Sequence, residues 1–214
     1  MIKNQLDYDL LLQKICVSRE TCDLLSVYYD MLMHWNKKIN LVSRKSINTS
    51  WDRHFLDSAQ LWLYLPQKAN TWLDFGSGAG FPGLVLALIS RELKPSLKFT
   101  LVEKNKKKAI FLNEVVNKIG LNVEILPNNV ELIKPQNADV ITSRAFGKLD
   151  HLLRISYKHQ NNDTTSFFPK GVSFSEEIKI SKKKWNYELE KIKNIIDNNS
   201  FILKIRNITC AKTR

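Results

Sequence analysis

The segment Thr71–Gly83, which reads T-W-L-D-F-G-S-G-A-G-F-P-G, restricts the fold of this chain more than any other stretch. It opens with alternating bulky residues, which are typical of a short buried strand. Four glycines then occur within eight residues, together with a proline that can begin a helix. The apolar run 84–89 predicts this helix and its packing on a sheet. These features predict the first half of a βαβ nucleotide site, where glycines let a ligand approach the backbone.

The spacing of the glycines narrows the choice of ligand. A dinucleotide pattern that starts at Gly76 needs glycine at position 81, where Phe81 stands, so a nicotinamide oxidoreductase is disfavoured. The Gly-Lys-Ser/Thr ending of a P-loop is absent as well. Instead an acidic residue, Asp74, precedes the alternate glycines Gly76, Gly78 and Gly80. This pattern resembles the first motif of Rossmann-like methyltransferases that bind S-adenosylmethionine, although a tight structural turn is the alternative for such a motif taken alone.

Composition and charge add a second constraint. The chain has 214 residues, enough for one sizeable core, and its 33 Lys+Arg against 21 Asp+Glu give a formal charge of +12. This charge favours a polyanionic partner, because a basic surface that neutralises phosphates releases counterions. A lysine-rich proteome explains the same charge equally well. The three cysteines show no metal-ligand spacing and no apolar run is long enough to cross a bilayer. We expect a cytoplasmic protein with free thiols, no bound metal and no membrane anchor.

Helical patterns precede the glycine segment. A weak one covers residues 1–17, and Ser18 is predicted to cap an amphipathic helix over 19–35. Thr49 or Ser50 is predicted to cap a further helix, whose apolar face consists of Trp51, Phe55, Ala59 and Trp62.

Two side chains in this region could take part in chemistry. Asn40 follows the amphipathic helix, and His54 lies on the next one, where an unperturbed imidazole titrates near neutrality. A hydrogen-bonded structural role explains each of them equally well. We expect a single domain over residues 1–214, with an N-terminal helical extension at 1–65 and a Rossmann-like core at 70–208.

After the glycine segment, strand and helix patterns alternate. Asn105 is predicted to cap a helix that stops at Gly120, and a further helix is predicted over Glu176–Lys184. The expected strands are Leu97–Glu103, Asn122–Leu126, Ala138–Ser143, Thr165–Phe168, Trp185–Ile192 and Phe201–Ile208, the last two forming a hairpin. The sequence therefore predicts an α/β fold with a mostly parallel seven-stranded sheet, an antiparallel C-terminal hairpin strand and N-terminal helices.

Polar residues collect where the predicted parallel strands end. Ligands of open α/β sheets bind at the carboxyl ends of the strands, and four candidates fall there: the glycine turn, Glu103, Arg144 and Lys170. An acidic side chain at the tip of the second strand, Glu103, suits ribose hydroxyls. Arg144 and Lys170 suit an anionic or acceptor-rich group beside the nucleoside. A lysine cluster at 104–108 is either solvated helix surface or a phosphate contact.

Five motifs occur in order along the chain: W-N-K-K-I-N-L, R-H-F-L-D-S, L-D-F-G-S-G-A-G-F-P-G, S-R-A-F and K-G. This set strongly resembles the RsmG (GidB) family, the bacterial 16S rRNA guanine-N7 methyltransferases, from about Tyr28 to Ile208. The resemblance implies the Rossmann-like fold of S-adenosylmethionine-dependent methyltransferases. It also implies S-adenosylmethionine as donor, a guanine in the 530 loop as acceptor and 16S rRNA or the small ribosomal subunit as partner. We also expect the protein to be a monomer.

The resemblance also implies roles for individual residues. Val130 and Glu131 would frame the adenine, Arg144 would lie beside donor and target, and Asn40, His54 and Lys170 would face the RNA. The donor would be held by Asp74, Gly76, Ser77, Gly78, Gly80, Phe81 and Glu103.

The chain departs from the family pattern at two places. Asn128-Asn129 replaces a small residue and an arginine in the loop after the third strand, and Pro169 precedes Lys170-Gly171. Two other functions stay open at this point: a small-molecule methyltransferase with the same donor site, and a non-catalytic RNA-binding relative.

Overall fold

The computed structural model of the chain describes residues 12–172 and 174–211. Seven strands form one sheet in the order β3-β2-β1-β4-β5-β7-β6. The strands are β1 Thr71–Phe75, β2 Lys98–Val102, β3 Val123–Leu126, β4 Ala138–Thr142, β5 Gln160–Lys170, β6 Trp185–Lys193 and β7 Phe201–Cys210. Neighbouring strands from β3 to β5 are parallel, whereas β7 runs antiparallel to both β5 and β6. The predicted fold, with its antiparallel C-terminal hairpin, is confirmed.

The helices begin and end largely where their caps predict. They are α1 Arg19–Asn36, α2 Gly83–Leu93, α3 Lys106–Ile119, α4 Leu149–His159 and α5 Phe174–Ser181. Ser18 Oγ accepts a hydrogen bond from the Thr21 N–H at the start of α1. Asn105 caps α3 in the same way, and Gly120 ends that helix in the left-handed conformation that glycine tolerates best. The weak helical pattern at 1–17 falls mostly outside the described residues.

The region between α1 and β1 differs from the single regular helix that the sequence predicts. A 3₁₀ turn at Arg44–Thr49 leads into helical segment 51–64, which consists of a π-helical turn Trp51–Leu56, an α-helical turn Asp57–Ala59 and a 3₁₀ turn Gln60–Tyr64. The predicted Ser50 cap is wrong, because the Ser50 hydroxyl donates to the Ser46 carbonyl and caps nothing. π-Helical turns of this kind are frequent at functional sites.

Sequence analysis missed helix α4 altogether. Leu149, Leu152, Leu153 and Ile155 form its buried stripe, which has the spacing of one helix face. Strand β5 follows α4 directly at Gln160, five residues before the predicted start at Thr165. Asn161, Asn162 and Asp163 are residues typical of turns, yet they lie within β5, so the sequence pattern predicts a start of this strand that is too late.

Apolar side chains cover both faces of the sheet. Trp72 of β1 belongs to a core that includes α1, segment 51–64, α2 and α3, whereas its neighbour Leu73 belongs to a core with α4 and α5. Successive side chains of a strand point to opposite faces, so the two cores lie on opposite sides of the sheet. None of the helices in the described parts of the chain combines the length and apolar character that a membrane crossing requires.

Candidate active site

A pocket of about 550 Å³ opens at the carboxyl ends of the parallel strands. The loops that follow β1, β2, β3 and β4 line it, together with residues from the region before β1. Its volume lies in the range typical of small-molecule sites. Its lining includes Ser46, Arg53, His54, Gly76, Ser77, Gly78, Phe81, Glu103, Lys104, Lys108, Val130, Arg144 and Phe146.

The glycines after β1 serve two different purposes. Gly76, Gly78 and Gly80 have φ angles of +67°, +58° and +96°, which side-chain-bearing residues rarely adopt. A Cβ atom at Gly76 would overlap the ring of Phe146, and one at Gly80 would overlap the Tyr28 hydroxyl. A Cβ at Gly78 would have no neighbour closer than the Gly76 carbonyl oxygen, at 3.8 Å. Neighbouring side chains therefore exclude any side chain at positions 76 and 80, whereas the space beside Gly78 is open and forms part of the pocket.

Glu103 connects the glycine loop with the start of α3. Its Oε2 accepts a hydrogen bond from the Gly78 N–H at 2.8 Å, and its Oε1 accepts one from the Asn105 N–H at 2.7 Å. Each carboxylate oxygen has two lone pairs, so both oxygens can still accept a bond from a ligand hydroxyl. The structure thus adds a loop-holding contact to the ribose-binding role that the sequence predicts for Glu103.

Asp74 lies beneath the glycine loop rather than on the pocket wall. The residue is fully buried, and its Oδ1 accepts a hydrogen bond from the Thr142 hydroxyl at 2.8 Å. Burial raises the pKa of Asp74 to about 6. The Ser77 hydroxyl donates to the Asp74 carbonyl oxygen at 2.9 Å, which closes the turn. Asp74 therefore supports the loop from below.

Tyr28 of α1 ties the N-terminal region to the glycine loop. Its fully buried hydroxyl donates to the Ala79 carbonyl, and its ring stacks on Phe81 with a centroid distance of 5.7 Å. From the sequence, Tyr28 is predicted only to lie within the amphipathic helix over 19–35. Its contact with the loop had no signal in the sequence, because Tyr28 and Ala79 are 51 positions apart.

Arg144 is held against the pocket by helical segment 51–64. Its Nη1 donates to the Arg53 carbonyl at 2.7 Å and to Asp57 Oδ2 at 3.1 Å. Its Nη2 donates to His54 Nδ1 at 2.8 Å, and the guanidinium carbon lies 5.1 Å from the centre of the Phe81 ring. The guanidinium group has five N–H donors, so these three bonds leave it able to bind a ligand acceptor.

The imidazole of His54 is neutral at physiological pH. Burial and the positive charge of Arg144 lower the pKa of His54 to about 4. Since Arg144 donates to Nδ1, the ring proton is on Nε2, which faces Ser46 Oγ at 3.3 Å. The imidazole also stacks on Phe81, with ring centroids 5.1 Å apart. The structure brings His54 and Arg144 together at the pocket, a contact that the sequence does not predict.

Lys170 and Asn40 lie outside the pocket lining. Lys170 Nζ donates to the Gly147 carbonyl at 2.7 Å and forms an ion pair with Glu177 Oε2 at 2.8 Å. Glu177 also accepts the Leu149 N–H at 2.7 Å, so Lys170 and Glu177 together hold the loop that follows Arg144. Asn40 is exposed on the turn after α1.

Val130 lines the pocket, whereas the Glu131 side chain turns toward α4 and pairs with Arg154. The Val130 carbonyl accepts a hydrogen bond from His159 Nε2 at 3.0 Å, and the Glu131 carbonyl accepts one from Lys158. Helix α4 thus fixes the backbone of this loop, which also contains Asn128 and Asn129.

Several lining residues were not predicted. Phe146 covers Gly76, and Arg53 and Ser46 lie beside His54. Phe146 and Arg53 belong to the S-R-A-F and R-H-F-L-D-S motifs, which were the available signals. Lys104 and Lys108, from the lysine cluster, also reach the pocket rim. In the described part of the chain, no group of three His, Cys, Asp or Glu residues could hold a metal ion.

Known structures share this fold at low sequence identity. A methyltransferase dependent on S-adenosylmethionine from Aquifex aeolicus has a TM-score of 0.58 at 16% identity and covers 73% of this chain and 92% of its own. The ribosomal protein L11 methylase of Lactobacillus delbrueckii subsp. bulgaricus has a TM-score of 0.59 at 14% identity, over 72% of this chain and 78% of its own. At these identities the likeness concerns the fold alone.

Sequence relatives are much closer. Ribosomal RNA small subunit methyltransferase G of Ruegeria sp. (strain TM1040) is 38% identical, over 90% of this chain and 93% of its own. The protein of the same name from Jannaschia sp. (strain CCS1) is 40% identical, over 89% and 90%. The family described as GidB, rRNA small subunit methyltransferase G, matches residues 21–205. The chain, as its ordered motifs indicate, belongs to the rRNA small subunit methyltransferase G family.

Proposed function

We propose that the protein transfers a methyl group from S-adenosylmethionine to N7 of a guanine in the 530 loop of 16S rRNA, in the small ribosomal subunit. The observation that carries this proposal is a single pocket with the open Gly78 backbone and Glu103 on one side and Arg144 on the other. Family membership supports the RNA substrate, since the relatives are named for methylation of small-subunit ribosomal RNA.

The donor side of the pocket fits a nucleoside. The space above Gly78 admits close approach of a ligand, and Glu103 can accept hydrogen bonds from ribose hydroxyls. The backbone around Val130 frames the adenine. S-Adenosylmethionine supplies a methyl group on a positively charged sulfur, and the chain's own residues bind and orient it.

The acceptor side fits a reaction without a general base. Guanine N7 is unprotonated, so its lone pair forms the bond to the methyl carbon while the carbon–sulfur bond breaks. The positive charge moves from sulfur to the purine, and no proton is transferred. His54 suits this role as a neutral positioning group, because its pKa of about 4 keeps it unprotonated. Alignment of the reacting atoms alone can lower the activation barrier by about 7–11 kcal/mol.

Arg144 is the residue that orients the guanine. The guanine O6 lies next to N7 and accepts hydrogen bonds, and arginine is the side chain that most often recognises this edge of guanine. Lys170, the other candidate from the sequence, is engaged by Gly147 and Glu177. In this arrangement Arg144 contacts the base, and Lys170 acts on the RNA side through the loop that follows Arg144.

The test is methyl transfer from labelled donor to purified small subunits and to naked 16S rRNA. N7-Methylguanine is then mapped by reduction and strand cleavage at the modified base. Label at one guanine of the 530 loop is the expected result, whereas label at another atom or in no RNA contradicts the proposal. Calorimetry with S-adenosylmethionine separates the alternatives, because a non-catalytic relative binds no donor and a small-molecule methyltransferase binds donor without methylating RNA.

Binding to RNA should depend strongly on salt. The formal charge of +12 and the basic rim of the pocket imply several phosphate contacts. We expect the affinity for 16S rRNA to fall steeply between about 50 and 200 mM salt. A flat response in a filter-binding assay over this range would remove phosphate contacts from the proposal.

A further inference from the structure

Asp57 connects Arg144 with two buried amides. Its Oδ2 accepts the hydrogen bond from Arg144 Nη1. Its Oδ1 accepts bonds from Asn194 Nδ2 at 2.6 Å and from Gln60 Nε2 at 3.0 Å. Gln60 is 0% and Asn194 2% exposed, and neither lines the pocket. We call these four residues, Gln60, Asn194, Asp57 and Arg144, the Asp57 cluster.

The amide orientation of Asn194 is fixed by the turn after β6. Its Oδ1 accepts the N–H groups of Ile196 at 2.8 Å and Asp197 at 3.0 Å. The amide nitrogen of Asn194 must therefore face Asp57. Gln60 strengthens this docking, since its Oε1 accepts the Ile195 N–H at 3.0 Å. The turn between β6 and β7 is thus built onto helical segment 51–64.

The position of the Arg144 guanidinium depends on this assembly. Arg144 comes from the loop after β4, but its guanidinium group donates hydrogen bonds to Arg53, His54 and Asp57. The side chains of Arg144 and Asp57 are only 17% and 13% exposed, so water replaces a lost partner poorly. A misplacement of about 1 Å can cost about a hundredfold in rate when a reaction depends on alignment.

We propose that Asn194 and Gln60 are positioning residues for methyl transfer, which act through Asp57 to aim Arg144 at the substrate base. The inference rests on the proposed function, in which Arg144 orients the guanine. It assigns a role in the reaction to the C-terminal hairpin, which contributes no residue to the pocket lining among the described residues.

Asn194→Asp tests the proposal. The new side chain keeps an oxygen for the Ile196 and Asp197 N–H groups, but it replaces the N–H donor that faces Asp57 with a second acceptor. Two carboxylates then face each other, and Asp57 turns away from Arg144. We expect kcat for rRNA methylation to fall about tenfold or more. Donor affinity and KM for rRNA should stay within about twofold of the wild-type values, because Asn194 touches neither ligand.

The matched control is Asp197→Asn in the same turn. This variant replaces a carboxylate by an amide, the reverse of Asn194→Asp. The Asp197 carboxylate accepts a hydrogen bond from the Asn199 N–H and does not contact Asp57. Its kcat should equal that of the wild type. The rescue variant Asp57→Asn/Asn194→Asp restores the hydrogen bond with reversed polarity, so its kcat should exceed that of Asp57→Asn. An unchanged kcat in Asn194→Asp, or a loss that appears only in donor affinity or Tm, overturns the proposal.

A measurement without RNA distinguishes failure of this inference from failure of the proposed function. The ¹⁵N resonances of the Arg144 guanidinium report whether its rotation is restrained. They should show restraint in the wild type and in Asp197→Asn, and lose it in Asn194→Asp. If the wild type methylates no rRNA while these signals change as expected, the proposed function fails and the positioning contact stands. If the signals are the same in all three proteins, the Asp57 cluster does not hold Arg144.

Discussion

The two sides of the pocket are built in different ways. The donor side that we propose includes backbone from one short segment, Gly76–Gly80, and Glu103, which lies 25 positions from Gly78. The RNA side that we propose is formed by side chains, and its central pair, Arg144 and His54, lies 90 positions apart. One side depends on local φ angles, whereas the other depends on long-range hydrogen bonds. We therefore expect the glycine loop to lose function when atoms are added, and the contacts of Glu103 and Arg144 to lose function when partners are removed.

The largest effect is expected from an added side chain on the donor side. Gly78→Val places a branched side chain in the space that the ligand needs, at a φ angle of +58°. Donor affinity should fall about a hundredfold or more, which is about 2.7 kcal/mol. Calorimetry with S-adenosylmethionine on the folded, soluble variant measures this loss.

Gly120→Val is the matched control for Gly78→Val. Gly120 also has a positive φ angle, +72°, and nothing lies within 4 Å of an added Cβ, but it ends α3 away from the pocket. This variant should lose stability without losing donor affinity. Undiminished donor binding by Gly78→Val would show that the glycine loop is not the donor site.

A smaller loss on the same side should follow from Glu103→Ala. The change removes the acceptor for the ribose hydroxyls and leaves the Gly78 N–H without its carboxylate. Hydrogen bonds to charged groups contribute about 1.5–3 kcal/mol, so donor affinity should fall about ten- to a hundredfold. The control is Glu124→Ala on β3, which should bind donor normally. The Glu124 carboxylate accepts a hydrogen bond of 3.4 Å from the Thr100 hydroxyl. Equal affinities of the two variants would refute the role of Glu103.

Lys170→Ala tests whether the RNA side can fail alone. Loss of Lys170 frees the Gly147 carbonyl and removes the ion pair between Lys170 and Glu177, which loosens the loop after Arg144. Methylation of rRNA should fall about tenfold, because the alignment of the reacting groups depends on that loop. Donor affinity should change by less than about twofold, since Lys170 does not line the pocket.

Lys204→Ala, which removes the ion pair with Glu190 on the outer hairpin, is the control for Lys170→Ala and should retain full activity. Both affinities are measured by titration and both activities with labelled donor. If Lys170→Ala loses donor affinity as severely as Glu103→Ala, the tip of β5 belongs to the donor side and the two-sided description fails.

The smallest expected effect is a pH dependence of stability. The pKa of His54 falls from 6.5 to about 4 on folding, so the unfolded chain binds a proton more readily than the native protein between these values. The contribution of His54 to stability is therefore complete above pH 6.5 and is lost as the pH falls toward 4. Asp74 acts in the opposite direction, because its raised pKa of about 6 favours the protonated native state.

Comparison with His54→Gln isolates the histidine. Glutamine can accept a bond from Arg144 but does not titrate, while Asp74 is present in both proteins and its effect cancels. The Tm of the wild type should fall more than that of the variant as the pH falls from about 6.5 to 4.5. Parallel Tm curves in calorimetric scans over this range would contradict the lowered pKa of His54.

The sequence predicts the parts of the site that depend on local backbone geometry better than the parts that depend on long-range hydrogen bonds. The sequence predicts the glycine turn, Asp74 and Glu103, because turns and strand ends have recognisable local sequence patterns. The family resemblance implies a role for His54 and one for Arg144 but not their contact, since no local pattern reports a contact across 90 positions. Lys170 was correctly placed at a strand end, but the Glu177 partner that turns it away from the pocket had no signal.

Four features follow from the amino-acid sequence without the structure: the fold class, the order of the strands along the chain, the caps of α1 and α3, and the position of the glycine turn. Each of these depends on residues within a few positions of one another, where φ angles, hydrophobic period and capping chemistry act directly. Only the tertiary structure decided that Tyr28 holds the glycine loop, that α4 fixes the loop at Val130, and that the turn after β6 supports Arg144 through Asp57. These contacts join segments that meet only when the sheet has closed over its two cores, so their geometry depends on packing that no single stretch of the chain contains.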